Sequence, residues 1–334
     1  MHCRNIIIFS ILIFLCITWM HYNLLTKKDS PSILLYQNLS HYVHPEKHTA
    51  LILPKSQCTG DVFIVVVICS AVPNFESRSA IRRSWGQNGV SQRNTYFLLG
   101  RSPNDDINAA VATESRKYSD IIQEDFLDTY NNLTLKSVML LKWVKEHCGN
   151  ARYVMKTDDD MFVHVPNLVK ALEIKMEPNL LLGCYLNDSI PNRDRSSKYY
   201  VPESFFPDQY YPPYLSGTGY VFSGDTVSGL YRASLEVEFF HLEDVFITGV
   251  CASRIGLQPR HDGRFLYKND EKKKDCCTLQ SLITAHKISP EELLQIWKAC
   301  FQNNVVSCPS NANFISYSES FLIIFVMIVI YITI

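Results

Sequence analysis

The chain has 334 residues, with 32 basic and 33 acidic side chains and an apolar content of 47%. The near-balanced charge argues against a general nucleic-acid-binding protein, which would be clearly basic. The apolar content excludes a mostly disordered chain. The length fits one large domain with appendages, or two small domains. Both ends carry uncharged apolar runs, whereas the middle has the composition of an ordinary globular protein.

The N-terminal apolar run, Ile6 to Leu25, holds no formally charged side chain and is rich in Ile, Leu and Phe. Twenty residues of helix are about 30 Å long, which matches the hydrocarbon core of a bilayer. A cleaved signal peptide is the alternative, but no small-x-small cleavage site follows the run. We therefore predict a signal-anchor transmembrane helix over residues 6–25, after a cytoplasmic tail over residues 1–5 and before a stem over residues 26–57.

Glycosylation sequons and cysteines indicate the compartment of the remaining chain. Acceptor sequons occur at Asn38, Asn132 and Asn187, all beyond the anchor. Nine of the 11 cysteines also lie beyond it, which is many for a reducing compartment. We therefore predict a lumenal or extracellular body. Because nine is odd, at least one thiol is free or pairs between chains, which leaves a disulfide-linked or non-covalent homodimer open. Adjacent Cys276 and Cys277 are predicted to form disulfides.

Apolar runs and helix signals alternate along the middle of the chain. The runs predicted to be strands are Asp61–Ala71, Thr95–Gly100, Arg152–Lys156 and Leu180–Cys184. The first is rich in β-branched residues, which is typical of a strand buried on both faces. Thr134–His147 lacks Gly and Pro and predicts a largely buried helix. Ser289, followed by Pro290 and Glu292, predicts a capped helix. The alternation predicts an α/β fold with a mostly parallel central sheet flanked by helices.

Three consecutive carboxylates, Asp158, Asp159 and Asp160, directly follow the third predicted strand. They are expected at the carboxyl edge of the sheet, where open α/β sheets bind ligands. Adjacent carboxylates repel, and a divalent cation such as Mg²⁺ or Mn²⁺ would relieve the repulsion while sharing its other positions with a pyrophosphate. A solvated acidic turn is the structural alternative.

Two further pairs of charged residues are candidates for chemistry. Glu243 and Asp244 lie among apolar residues, where a carboxylate could have a raised pKa and act as a general base. The alternative is an acidic pair at a helix N-terminus. Arg78 and Arg82 are four residues apart, so on a helix they would share a face suited to phosphate oxygens. The alternative for this pair is a solvated basic face.

The glycines Gly217 and Gly219 indicate a loop where the backbone could approach a ligand closely, although such glycines also simply form turns. Neither a GxxxxGK[ST] phosphate loop nor an HExxH zinc helix occurs in the sequence. The C-terminal run Phe321–Ile334 is almost purely apolar, but it is shorter than the roughly 17 residues of a spanning helix. A buried element, a membrane-dipping tail and an atypical end are all open, and residues 309–334 are given no function.

Seven segments together resemble the inverting β1,3-glycosyltransferases, most closely the β1,3-galactosyltransferases. In chain order they are Arg78–Gly86, Thr95–Gly100, Glu124–Thr134, Lys156–Asp160, Tyr211–Ser223, Glu243–Gly249 and His286–Trp297. They occur in the order typical of the family and cover roughly residues 60 to 300. The segment Ser216–Tyr220 is more similar to the galactosyl branch than to the N-acetylglucosaminyl branch.

The resemblance implies a GT-A-type fold, a UDP-sugar donor, a glycan acceptor and a divalent cation, usually Mn²⁺. It implies a single-pass type II protein of the Golgi membrane with a lumenal catalytic domain, here over residues 58–308. The implied reaction moves galactose from UDP-galactose to the 3-hydroxyl of an acceptor sugar, expected to be an N-acetylglucosamine-terminated glycan of a protein or lipid. The alternatives are a β1,3-N-acetylglucosaminyltransferase and an inactive lumenal carbohydrate-binding protein.

The resemblance also implies roles for individual residues. Asp160 and His286 match the metal ligands of the family, and Asp244 falls on the position expected for the catalytic base, with Glu243 as the neighbouring alternative. The residues expected to contact the donor are Arg78, Arg82, Asp158, Asp159, Gly217 and Gly219.

Overall fold

The computed structural model describes residues 39–87, 93–268, 275–302 and 308. Among these residues, no helix is long and apolar enough to cross a membrane. The predicted cytoplasmic tail and anchor (residues 1–25), the sequon at Asn38 and the apolar tail (residues 309–334) lie outside the described residues.

A mixed sheet forms the centre of the domain. The strands of the described residues are β1 Ala50–Ile52, β2 Ile64–Cys69, β3 Arg93–Arg101, β4 Ile121–Leu127, β5 Tyr153–Asp158, β6 Met161–Val163, β7 Leu181–Leu186, β8 Tyr214–Ser223, β9 Arg260–His261 and β10 Thr284–His286. Eight of them are ordered β1-β4-β3-β2-β5-β8-β7-β9, and β6 pairs with β10 in a separate ribbon. Four of the seven pairings in the sheet are parallel. The sheet is mixed because β8 runs antiparallel to both of its neighbours and β1 runs antiparallel to β4.

Helices cover both faces of this sheet. Their bounds are α1 Ser40–Val43, α2 Phe75–Arg82, α3 Asp105–Tyr118, α4 Leu133–His147, α5 Val165–Lys175, α6 Val227–Glu236, α7 Ala252–Arg254, α8 Cys276–Ser281 and α9 Pro290–Trp297. Wider π-helical turns span Val245–Cys251 and Lys298–Gln302. Helices α4 and α6 pack in one hydrophobic core, and α2, α5 and α9 pack in the core on the other face. The predicted α/β class is therefore confirmed.

The strongest local signals in the sequence correspond to real elements. Every residue of β2 is buried, and its side chains alternate between the two cores, as a strand buried on both faces requires. Helix α4 begins one residue before the predicted helix and is buried over most of its length. Helix α9 begins with a capping box, in which the Ser289 hydroxyl accepts from the Glu292 backbone N–H and the Glu292 carboxylate accepts from the Ser289 N–H.

The predicted stem is too long, because residues 39–57 dock onto the domain. Strand β1 pairs antiparallel with β4. The buried ammonium of Lys142 on α4 donates to the backbone carbonyls of Val43, His44 and Lys47. Elements of three or four residues are too short to show a periodicity, so the docking of this segment through its backbone could not be predicted.

The described cysteines form three disulfides, Cys58–Cys148, Cys276–Cys300 and Cys277–Cys308. The prediction that Cys276 and Cys277 form disulfides is confirmed. The remaining thiols described, Cys69, Cys184 and Cys251, are free and buried. Since a buried thiol cannot reach another chain, none of these three is placed to form an intermolecular disulfide.

Candidate active site

A cavity of about 980 Å³ opens at the carboxyl end of β5. The acids Asp158 and Asp160 line it, together with His286 from β10 and Asp244 from the start of the first π-helical turn. Parallel β2 and β5 end side by side, with Cys69 opposite Asp158. Of the three acids expected at this sheet edge, Asp158 and Asp160 thus line the cavity.

The short β6–β10 ribbon brings Asp160 and His286 together. His286 lies opposite Met161 in this ribbon, and its Nε2 lies 3.3 Å from Oδ2 of Asp160. Its Nδ1 lies 2.7 Å from the carbonyl oxygen of Tyr267. Because a carbonyl only accepts, Nδ1 carries the hydrogen and Nε2 is the atom left to face a ligand.

The two side chains also control each other's charge. Burial alone would raise the pKa of Asp160, but the hydrogen bond and charge of His286 outweigh burial and lower it. Burial alone would lower the pKa of His286, and the carboxylate of Asp160 raises it instead. Each side chain therefore favours the charged form of the other when no cation lies between them.

The donor set of this pair fits a divalent cation that shares its coordination with a substrate. No cluster of three His, Cys, Asp or Glu side chains that could hold a metal occurs within the described part of the chain. The Asp160 side chain is 46% exposed, so the pair leaves its cavity side open. Mg²⁺ and Mn²⁺ are commonly bound by one or two protein ligands plus substrate phosphates, and the imidazole suits Mn²⁺.

Asp159 does not line the cavity, although its two neighbours do. Its Oδ2 accepts hydrogen bonds from the Ser70 hydroxyl at 2.6 Å and from the Asn74 amide at 3.0 Å. Asp158 ends β5, and Asp159 and Asp160 form the turn before β6, so the three consecutive acids do not share one direction. A direct donor contact of Asp159 finds no support in this geometry, whereas Asp158 lies in the cavity wall.

Arg78 and Arg82 share one face of α2, as predicted, but that face packs inward. The fully buried guanidinium of Arg78 donates to Glu114 of α3 at 2.7 Å and to the carbonyls of Ala71 and Val72. Arg82 donates to Glu114 and, through two nitrogens, to Asp120. The expected contact with donor phosphates therefore has to be corrected, because neither side chain lines the cavity and both pair with acids within the domain.

The glycines Gly217 and Gly219 lie within strand β8 rather than in a loop, which corrects the prediction for this segment. Gly217 lines the cavity, and a Cβ on it would lie 3.1 Å from Oε2 of Glu243 and 3.2 Å from Cβ of Asp244. Gly219 does not line the cavity and pairs with Thr157 across the sheet. A glycine is therefore required at position 217 because the backbone there lies close to Glu243 and Asp244.

The structure distinguishes the adjacent acids Glu243 and Asp244. Glu243 is 3% exposed, and its carboxylate accepts from the Tyr220 hydroxyl at 2.6 Å and from Lys156 at 3.3 Å. Asp244 is half-buried at the cavity. Its Oδ1 accepts from the Val245 N–H, which caps the following helical turn, and its Oδ2 accepts from the Gly217 N–H at 3.2 Å. Asp244 therefore both caps a helical turn and faces the cavity.

Burial and the neighbouring charge of Glu243 raise the pKa of Asp244 to about 6, against the two backbone hydrogen bonds. Burial likewise raises the pKa of Asp158 to about 6, against the ammonium of Lys156. A carboxylate with this pKa is ionised at neutral pH and accepts a proton more readily than an ordinary aspartate.

Glycine 217 provides a test of how closely the base is held. In Gly217→Ala the methyl group would push the Glu243 and Asp244 carboxylates by a few tenths of an ångström, and we expect kcat to fall roughly tenfold, since small displacements of reacting groups slow catalysis. Gly219→Ala is the matched control, because its methyl would meet Thr157 at an ordinary 3.4 Å. Equal losses in the two variants, measured by steady-state kinetics, would contradict the close approach.

The two described sequons differ in accessibility. Asn132 is 8% exposed, and its amide donates to the Leu127 carbonyl at 2.7 Å. The hydroxyl of Thr134 in the same sequon is buried and donates to Phe240. This burial argues against a glycan at Asn132, whereas Asn187 is exposed and can carry one.

Sequence reasoning missed several residues that line the cavity. The side chains of Tyr130 and Tyr199 meet edge to face at 6.4 Å, and the Lys198 ammonium lies 4.8 Å from each ring centroid. Tyr130 lies in Glu124–Thr134, one of the seven segments that resemble the family, and this resemblance could have indicated that Tyr130 lines the site. Lys156, which begins the segment before the three acids, was also missed.

An α/β domain whose sheet edge carries ligand-facing acids, a histidine and exposed tyrosines has the features of a glycosyltransferase. A family model described as galactosyltransferase matches residues 76–263. Beta-1,3-galactosyltransferase 1 from Homo sapiens and from Mus musculus are each 38% identical to the chain over 274 residues, which is 80% of this chain and 82% of the relative. Beta-1,3-galactosyltransferase 2 from Homo sapiens is 38% identical over 75% of this chain and 61% of its own length.

The chain therefore belongs to the galactosyltransferase family, and it is a hexosyltransferase of the β1,3-galactosyltransferase group. Among solved structures, 4-diphosphocytidyl-2C-methyl-D-erythritol synthase from Anaerococcus prevotii matches 64% of this chain and 93% of its own chain, at 13% identity and a TM-score of 0.38. That similarity is too low to support a conclusion.

Proposed function

We propose that this protein transfers galactose from UDP-galactose to the 3-hydroxyl of an acceptor sugar with inversion, on N-acetylglucosamine-terminated glycans of proteins or lipids. The observation that carries the proposal is Asp244, a cavity-facing carboxylate with a pKa of about 6 that is held by two backbone N–H groups. It shares one cavity with the Asp160–His286 pair.

In this reaction Asp244 takes the proton of the acceptor hydroxyl while that oxygen forms a bond to the anomeric carbon of galactose. The bond from the anomeric carbon to the diphosphate breaks at the same time, and UDP leaves from the opposite face. Proton removal by a positioned base contributes typically 10²–10⁴-fold. The two N–H donors from Gly217 and Val245 keep the carboxylate oriented during this step.

Asp160 and His286 would hold the divalent cation, proposed to be Mn²⁺. When bound, the cation neutralises negative charge on the leaving diphosphate. Lys268 and Lys287 line the same cavity and follow Tyr267 and His286 directly in the chain. Because Arg78 and Arg82 are used inside the domain, these lysines are the side chains we propose for contact with the donor phosphates. Asp158 stays proposed as a donor contact, but to hydroxyl groups of the donor, because a carboxylate repels phosphate.

The metal site is tested by Asp160→Ala and His286→Ala. Each variant should need at least about tenfold more Mn²⁺ for half-maximal activity, because even the outer partners of metal ligands contribute 10–100-fold to affinity. Mn²⁺ binding measured by electron paramagnetic resonance gives a readout that does not depend on turnover. Asp159→Asn is the comparison variant, since Asp159 bonds Ser70 and Asn74 outside the cavity, and it should leave Mn²⁺ binding unchanged. Unchanged Mn²⁺ affinity in both ligand variants would contradict the assignment.

The reaction itself is tested by a donor and acceptor screen with the purified full-length chain. UDP-galactose and UDP-N-acetylglucosamine are each offered with Mn²⁺ and an N-acetylglucosamine-terminated acceptor, and the linkage of the product is determined by NMR. We expect β1,3-linked galactose. Transfer of N-acetylglucosamine would favour the N-acetylglucosaminyl alternative, and sugar binding without transfer from any donor would favour a carbohydrate-binding protein.

We also propose that the enzyme resides in the Golgi membrane as a single-pass type II protein with this domain in the lumen. The three disulfides support a lumenal location, because such bonds persist in oxidising compartments. Exposed Asn187 provides the test, since its glycan should disappear in Asn187→Gln and should become sensitive to an added glycosidase only after the membranes have been permeabilised.

A further inference from the structure

The ammonium of Lys156 is the centre of a buried network beside the base. Lys156 is fully buried, yet its Nζ lies 2.8 Å from Oδ1 of Asp158, 2.6 Å from the carbonyl of Gly217 and 3.3 Å from Oε2 of Glu243. An ammonium has three N–H donors, so these acceptors use its full capacity. Such a complete set fixes the side chain in one position.

Gly217 connects this network to Asp244. Its carbonyl accepts from Lys156, and its N–H donates to Oδ2 of Asp244. Tyr220, which lies opposite Lys156 in the β5–β8 pairing, donates to the other oxygen of Glu243. A single lysine thus connects Asp158 on the proposed donor side, the buried Glu243 and the peptide group that holds the base.

We propose that Lys156 is a positioning residue for this reaction, which fixes both the place and the ionisation of Asp244 through Gly217 and Glu243. The inference rests on the proposed function, in which Asp244 is the base. Lys156 takes no part in bond making, because all three of its N–H groups are already used within the protein.

The charges of the network determine the direction in which each neighbour shifts the pKa of Asp244. Glu243 raises the pKa of Asp244, and Lys156 lowers it. Burial alone would neutralise a lysine, but Asp158 and Glu243 reverse that effect and hold the pKa of Lys156 well above its ordinary value. Other titratable groups that interact with this network are Asp160 after β5, Cys69 from β2, Tyr130 from the turn before α4, Tyr211 from the segment before β8, and Tyr214 and Tyr220 from β8.

The test is the pH dependence of kcat/KM in three variants of the full-length protein. In Lys156→Met the acid limb of the profile, near pH 6 in the wild type, should move upward by on the order of one unit, and kcat at pH 7 should fall by about tenfold or more. In Glu243→Gln the limb should move downward, because a negative charge is removed. In the double variant the two losses oppose each other, and the limb should return towards the wild-type position.

Lys142→Met is the matched control. Lys142 is also a buried lysine whose ammonium is fully hydrogen-bonded, but its partners are Val43, His44, Lys47 and Thr49, away from the cavity. It should lower the melting temperature without moving the acid limb. Lys156→Gln, which keeps N–H donors, replaces Lys156→Met if the latter does not fold, and Glu243→Gln keeps the charge coupling testable if neither folds.

The possible outcomes distinguish a failure of the proposed function from a failure of the role inferred for Lys156. A wild-type protein that transfers no sugar overturns the proposed function and the inference with it. A wild-type protein that transfers sugar, with acid limbs that do not move in the Lys156 and Glu243 variants or move equally in Lys142→Met, overturns the inference alone. Restoration of the profile in the double variant supports it, because a merely structural role of Lys156 would not be rescued by removing a second network member.

Discussion

Replacing Asp244 by Asn is expected to lower sugar transfer by about 10²–10⁴-fold at neutral pH while the protein remains folded. The amide cannot take up the acceptor proton, although it has nearly the same shape as the carboxylate. The amide oxygen of the asparagine can still accept from the Val245 N–H. Its NH₂ group would then face the N–H of Gly217, and two donors cannot form a hydrogen bond with each other. The loss of that hydrogen bond should lower the free energy of unfolding by about 1 kcal/mol.

Initial rates of UDP release, with donor and acceptor both present, measure this effect, and calorimetric binding of UDP with Mn²⁺ shows whether the donor site survives. In the wild type, kcat/KM should fall as pH drops through about 6, because protonated Asp244 is no longer a base. Glu243→Gln is the comparison, since Glu243 is buried and bonded to Tyr220 and Lys156 rather than to a substrate. If Asp244→Asn keeps full activity while Glu243→Gln loses it, the base has been assigned to the wrong acid.

Replacing Glu114 by Ala is expected to lower the free energy of unfolding by about 3–5 kcal/mol, the range for removing one partner of a buried ion pair. The change leaves the guanidinium of Arg78, which is fully buried, without its carboxylate, and it removes one of two acidic partners of Arg82. Arg78 also donates to the Ser70 hydroxyl, which in turn donates to Asp159, so the disturbance should reach the acidic segment at the cavity edge.

The lowered pKa of Glu114 predicts that this ion pair loses its stabilising effect in acid. Burial would raise the pKa of Glu114, but the hydrogen bonds and charges of Arg78 and Arg82 outweigh burial and hold it below its ordinary value of 4.5. A carboxylate with a depressed pKa stabilises the folded state above its unfolded pKa, and this contribution is lost as pH falls through the folded pKa. Glu114→Ala should therefore have a smaller acid-induced loss of stability than the wild type below pH 4.5.

Urea unfolding at pH 7 measures the first effect, and the same experiment in the acid range measures the second. Asp120→Ala serves as the control, because Asp120 pairs with Arg82, which is less buried than Arg78, and Arg82 retains Glu114. We expect a smaller loss in that variant. A loss below about 1 kcal/mol in Glu114→Ala would show that the pair contributes no more than an exposed salt bridge.

Several elements could be predicted from neighbouring residues alone. The β-branched run at Ile64–Cys69, the Gly- and Pro-free helix Leu133–His147 and the capping box at Ser289 each determine their local conformation within a few residues. The carboxyl end of a strand adjoins the ligand-binding edge of an α/β sheet, so the place of Asp158 and Asp160 followed from the strand before them.

The long-range pairings could not be predicted in this way. The spacing of Arg78 and Arg82 correctly places them on one helix face, but only the position of α3, which carries Glu114, shows that this face is turned inward. The docking of residues 39–57 depends on one lysine on α4 that binds backbone carbonyls, which every sequence has.

The sequence by itself therefore determined the α/β class, the principal strands and helices, the family and the acidic segment at the sheet edge, because each depends on residues close together in the chain or on a pattern of motifs. Only the tertiary structure decided that Asp159 bonds to Ser70 and Asn74 outside the cavity. It also decided that Glu243 is bonded to Tyr220 and Lys156, whereas Asp244 is held by backbone N–H groups, and that Lys156 connects Asp158 with Glu243. These contacts depend on which buried charged groups meet after the strands have paired. Here, β8 pairs antiparallel with β5, and this pairing brings Gly217 and Tyr220 next to Lys156.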